Sequence, residues 1–139
     1  MTETLVVDAS VAVKWVVQEE GTEAALRLRS HDLVAPELIL AECANILWKK
    51  AERAELTREE AQVSARLLER SGIEFVSLYG LTERTVALAI ELDHPAYDCA
   101  YLALALARQC RVVTADRRFY NALQGGPYAG LILGIADGP

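Results

Sequence analysis

At 139 residues the chain has the length of one domain, and a chain of this size buries roughly 68–70% of its unfolded surface, enough for a real core. It is 53% hydrophobic and only 6% aromatic, which excludes disorder and indicates an aliphatic interior. Fourteen basic against twenty acidic residues leave a net charge of −6, which excludes a protein that coats nucleic acid through a basic face.

In chain order, Leu5-Val6-Val7 is a short apolar run ended by Asp8 and reads as a buried strand. Residues 11–17 are apolar nearly all round, so they predict a helix that is deeply buried or held at a subunit interface. Gly21-Thr22-Glu23 opens a second helix that stops near Ser30. Leu33-Val34-Ala35 is a second strand, and Pro36 suits the first turn of a long helix to about Arg53. Thr57-Arg58-Glu59-Glu60 is a capping box, starting a helix to about Arg70 that ends at Gly72. Residues 73–78 alternate as a strand does. A helix over 82–92 follows, and Pro95 begins another that extends to Gln109. Arg111-Val112-Val113-Thr114 is a strand leading to Asp116 and a short helix. Gly125-Gly126-Pro127 makes a loop, residues 131–135 an edge strand, and residues 136–139 a frayed tail.

Short apolar strands alternating with helices predict one α/β domain over residues 1–139, with a mainly parallel sheet. Ligands of such sheets bind outside the carboxyl ends of the strands. The longest apolar stretches, such as 102–107 and 131–135, are far short of the ~20 residues that span a bilayer. The first residues lack the basic start of a secretion signal. Cys43, Cys99 and Cys110 form no C-x-x-C pair and read as small buried hydrophobes, which suits a reducing cytoplasm and excludes a zinc site.

Four acids stand out. Asp8 and Asp116 each end a strand and precede a helix, so each is an N-cap or a carboxylate held at the ligand-binding edge. Ser10 and Thr114 are placed to hydrogen-bond them. Glu42 shares a helix face with Asn45, beside the inward-packing Ile39, Ile46 and Leu47. Asp98 lies in the first turn of an almost wholly apolar helix, where a carboxylate is normally paired or bound to metal. Crowded carboxylates repel and raise one another's pKa values, and a hard divalent cation relieves that. Mg²⁺ or Mn²⁺, as one or two ions, takes oxygen ligands and activates water against phosphate esters.

Four segments resemble the motifs of the PIN-domain nucleases. They are Val6-Val7-Asp8-Ala9-Ser10-Val11; Pro36-Glu37-Leu38 with Glu42 and Asn45; His94 to Ala105 around Tyr97-Asp98-Cys99-Ala100-Tyr101; and Val113-Thr114-Ala115-Asp116-Arg117-Arg118-Phe119. The last two are most similar to the VapC toxins of VapBC toxin–antitoxin pairs, and the likeness runs from about residue 4 to 123. The resemblance implies a three-layer PIN fold, an Mg²⁺- or Mn²⁺-dependent endoribonuclease acting on RNA, a homodimer, and inhibition by a VapB-type antitoxin. It carries the catalytic and metal-binding roles onto Asp8, Glu42, Asp98 and Asp116, with Ser10, Asn45 and Thr114 as their polar neighbours.

Arg117, Arg118 and Lys49 are candidates for gripping phosphate, against the plainer reading of solvated helix residues. His94 reads as structural, since one histidine cannot supply the acid–base pair of a metal-free ribonuclease. A receiver domain would need an acidic pair after the first strand, and a haloacid-dehalogenase phosphatase a second Asp where Ser10 stands. The rival from another class is a non-catalytic interaction module whose acids only cap helices.

Overall fold

β-branched and aliphatic runs form five strands in the computed structural model, which describes residues 2–138. β1 (Thr4–Val7), β2 (Asp32–Pro36), β3 (Glu74–Val76), β4 (Arg111–Thr114) and β5 (Ile132–Gly134) make one sheet in the order β3-β2-β1-β4-β5. Every pairing is parallel. The register sets Val6 opposite Val34 on one side and Val112 on the other. Leu5, Val6 and Val7 are fully buried, as expected of a central strand covered on both faces.

The helices are α1 (Ala9–Val16), α2 (Thr22–Arg27), α3 (Leu38–Glu52), α4 (Arg58–Glu69), α5 (Thr82–Leu92), α6 (Ala96–Arg108) and α7 (Arg117–Leu123). α1 packs against α2, α3 and α4, while α5 packs on α6 and α6 lies along β1, β2 and β4. The result is the expected three-layer α/β fold. Every residue of α6 from Cys99 to Ala105 is buried, and this continuous apolar stretch explains why α6 spans the middle of the sheet. The capping box forms as read: Thr57 N–H donates to Glu60 Oε1 (2.7 Å), and Glu60 N–H to Thr57 Oγ1 (3.1 Å). In α1, Val11, Ala12 and Val13 are at most 3% exposed, while Trp15 and Val16 are half-buried.

Two boundaries differ from expectation. Pro36 closes β2, opposite Val76, and does not open a helix. The ladder to β1 runs only as far as Val34, so the missing N–H of proline costs no hydrogen bond there, and α3 starts two residues later. A 3₁₀ turn at Ile135–Asp137 stands where the sequence predicts fraying. Pro139, also assigned to that tail, lies outside the described residues. Cys43 and Cys99 are buried and Cys110 half-buried, all three as free thiols. Burial pushes the Cys43 thiol up to about 12 and Cys99 to about 11, far from reactivity. Among the described residues no helix is long and apolar enough to cross a membrane.

Candidate active site

From β1 the chain runs outward through β2 to β3, then returns to the other side of β1 for β4 and β5. The strand order therefore reverses between β1 and β4, where open α/β sheets form their binding crevice. Asp8 follows β1 and Asp116 follows β4, so these neighbouring strands deliver two carboxylates to that crevice.

Both acids are helix caps as well. Asp8 Oδ1 accepts the Val11 N–H (3.2 Å), and Asp116 Oδ1 accepts the Arg118 N–H (2.9 Å). Capping and site placement are thus one arrangement. The two turns are then stitched together by hydroxyls. Ser10 Oγ donates to Asp8 Oδ1 (2.5 Å) and accepts the Ala115 N–H (2.9 Å). Thr114 Oγ1 donates to Asp8 Oδ2 and accepts the Asp116 N–H (3.0 Å). Asp8 is 4% exposed, and burial raises its pKa to about 7 against the pull of these donors.

Glu42 is half-buried on α3, beside the stripe of Ile39, Cys43 and Leu47 that faces the core. The Tyr101 hydroxyl, from α6, donates to Glu42 Oε1 across the carboxyl edge of the sheet. Burial raises the Glu42 pKa, the tyrosine offsets part of this, and the charge of Asp98 adds to it. Asp98 sits in the first turn of α6 with its Oδ2 2.7 Å from His94 Nε2. Burial raises its pKa, the His94 hydrogen bond and charge lower it, and Asp116 pushes it up again. Asp98 is thus the acid that links the others: its charge acts on Asp8 and Glu42, and that of Asp116 acts on it.

They share a cleft of about 460 Å³. Asp8, Ser10, Glu42, Asn45, Asp98 and Asp116 supply its polar lining, and Leu38, Ala41, Ile46 and Tyr97 much of the rest. Among the described residues no three acidic, histidine or cysteine side chains are grouped so as to hold a metal ion by themselves. The donor chemistry still fits a hard cation. Mg²⁺ keeps several of its waters and needs only one or two carboxylates, so an acid-lined cleft suits it better than a cage.

Three candidates lie elsewhere. Arg117 and Arg118 are exposed at the start of α7. Lys49 is exposed on α3, two turns beyond Glu42, or about 10 Å along the axis. None of them lines the cleft. Conversely, Tyr101 and His94 reach two of the acids, and sequence reasoning gave them no such part. The available signal for Tyr101 was a hydroxyl in an otherwise aliphatic stripe, which must find a partner when buried.

The PIN domain signature matches residues 5–122. The chain belongs to the PIN domain family. This PIN domain is 34% identical over 121 residues to ribonuclease VapC3 of Pyrobaculum aerophilum, covering 82% of this chain and 90% of that protein. It resembles the crystal structure of PAE2754 from Pyrobaculum aerophilum with a TM-score of 0.69 at 21% identity, over 97% of this chain and 85% of that one. It also resembles a chain of a toxin–antitoxin complex from Klebsiella pneumoniae, with a TM-score of 0.68 at 15% identity, over 94% and 97% of the two chains. At these identities the two structures speak for the shared fold.

Proposed function

We propose that this PIN domain is an endoribonuclease that hydrolyses RNA phosphodiester bonds with water activated by Mg²⁺ or Mn²⁺. In this reading it is the toxin of a VapBC-type pair and is restrained by a VapB-type antitoxin. The observation that carries the reading is the convergence of Asp8, Glu42, Asp98 and Asp116 on one cleft at the β1/β4 switch point. The ribonuclease VapC3 relative and the toxin–antitoxin neighbour support it.

The four carboxylates would hold one or two ions, with Asp8 and Asp116 set by the rigid Ser10–Thr114 hydroxyl network. A divalent ion bound there supplies an activated water and a counter-charge for the phosphate oxygens. Ser10 and Thr114 spend their protons on Asp8, which keeps its two oxygens in fixed directions. Asn45 offers an amide to the substrate from the Glu42 side of the cleft. Arg117, Arg118 and Lys49 are assigned to RNA that runs beyond the cleft.

Homodimerisation is proposed through α5, whose Val86 and Ile90 lie one turn apart and are 48% and 77% exposed. Three free thiols fit a reducing cytoplasm. The purified chain incubated with RNA should cleave in Mg²⁺ or Mn²⁺, stop in chelator, and lose roughly 100-fold or more in Asp98→Asn. Equal cleavage in every arm would expose a contaminating nuclease. No cleavage of any RNA, together with no stabilisation by metal, would favour an interaction module.

A further inference from the structure

His94 touches one of the four acids, and the metal reading leaves it without a task. It is held on three sides. Its backbone N–H donates to Ala89 O (3.2 Å), closing the end of α5. Its ring stacks on Phe119 of α7, with centroids 5.8 Å apart and planes 18° from parallel, and Phe119 is fully buried. Its Nε2 lies 2.7 Å from Asp98 Oδ2, and the histidine side chain is only 13% exposed.

A carboxylate that holds a cation carries no proton, so in this contact the histidine Nε2–H must donate. Oδ2 then accepts that hydrogen bond, and Oδ1, which has no hydrogen bond among the described residues, is the freer of the two oxygens for the cleft. Rotation of Asp98 about its side-chain bonds would break the bond to a ring that cannot follow, because Phe119 and the end of α5 pin it. Partners that orient a ligating side chain in this way typically govern metal affinity by 10–100-fold.

We propose that His94 is a positioning residue for the divalent metal, fixing Asp98 by an Nε2–H donor so that Oδ1 faces the ion. It acts through orientation, and no proton transfer is asked of it. The inference rests on the metal-dependent reading above, but its test needs no RNA. Manganese affinity of the full chain is measured by electron paramagnetic resonance, and unfolding in chelator is followed in parallel.

His94→Phe keeps an aromatic face for Phe119 and removes the donor. His94→Gln keeps an N–H donor and removes the ring. Expected is a 10–100-fold loss of Mn²⁺ affinity in His94→Phe and a smaller loss in His94→Gln, which keeps a donor but not the ring that Phe119 pins, without a matching order in metal-free stability. In an Asp98→Asn background, His94→Phe should add no further loss, since the group it positions is gone. His94→Leu replaces the phenylalanine variant should the larger ring not be accommodated.

Wild-type affinity in His94→Phe, or an equal loss in His94→Gln, overturns the proposal. So does a His94→Phe loss that persists undiminished beside Asp98→Asn. A wild-type chain that binds no Mn²⁺ overturns it together with the metal reading. His94-dependent Mn²⁺ binding without cleavage of any RNA upholds it, while overturning the ribonuclease reading.

Discussion

Asp8 is the most deeply buried of the four acids and has the most hydrogen-bond donors, so its ionisation exposes the tension in the cleft. Burial lifts its pKa from 3.8 to about 7 in the metal-free fold. An acid raised on folding binds its proton more tightly in the folded chain, so its contribution is fully present below about 4. It is lost as the pH rises through 7. Each tenfold difference in proton affinity corresponds to about 1.4 kcal/mol. In chelator, wild type should therefore lose stability relative to Asp8→Asn as the pH rises from 5 to 8, until the asparagine variant is the more stable. Thermal unfolding at pH 5, 6.5 and 8 measures this, and parallel curves for the two proteins would refute it. A bound divalent ion demands the ionised carboxylate, so the same proton should weaken metal binding below about pH 7. Tyr101 poses the complementary case, since its buried hydroxyl neutralises part of the burial cost of Glu42. Removing a hydrogen bond to a charged group costs about 1.5–3 kcal/mol. Tyr101→Phe should lower chelator stability by about that much and reduce cleavage, whereas Glu42→Gln should reduce cleavage with a smaller loss of stability. Calorimetry and initial rates on one RNA separate the two, and a Tyr101→Phe protein that is fully stable and fully active would sink the argument.

The elements separate what positions the site from what only supports it. α4 starts at the Thr57–Glu60 capping box, packs on α1 and α3, and is fastened to α1 by Ser64 Oγ donating to Val16 O (3.1 Å). It contributes nothing to the cleft lining. Thr57→Ala should thus cost about 1 kcal/mol of stability and leave cleavage and Mn²⁺ affinity unchanged. Urea unfolding and a rate assay on one preparation check both halves, and a loss of rate at conditions where the variant is fully folded would contradict it. Local features of this kind were readable in the sequence: the capping box, the strand-ending Asp8 and Asp116, and the wholly apolar stretch that became α6. They depend on neighbours a few residues apart. Pro36 misled because its ring suits a strand end as well as a helix start, and the register against β3 decided between them. The Tyr101–Glu42 bond joins residues 59 apart, through the docking of α3 and α6 over one sheet edge. No periodicity carries that information. The contacts of His94 were only partly legible: its spacing of four from Asp98 was visible, but the stacking on Phe119 was not. Arg117 and Arg118, adjacent in sequence to Asp116, are exposed and lie outside the cleft lining, which sequence adjacency to a site acid does not reveal.

For the whole molecule, the net charge of −6 sets the terms on which RNA can approach. A basic binder neutralises phosphates with lysine and arginine and releases counterions, so its affinity falls steeply with added salt. This chain has the opposite balance, and its cleft concentrates four acids where, in the proposed function, the scissile phosphate must come. Without divalent metal the dominant long-range force between chain and RNA is repulsion, extending ~30 Å at 0.01 M salt and ~8 Å at 0.15 M. Three candidate phosphate contacts, Lys49, Arg117 and Arg118, are exposed and form no ion pair among the described residues, but three cations outside the cleft do not outweigh that field. Fluorescence anisotropy of labelled single-stranded RNA in chelator should therefore show weak association that holds constant or strengthens as salt rises from 0.01 to about 0.15 M. A steep decline would mean that a basic surface carries the binding and that the metal is not what reconciles an acidic protein with a polyanion. In that event the cleft acids would still bear on chemistry, but RNA capture would have to be assigned to the rim of α7 and the outer turns of α3.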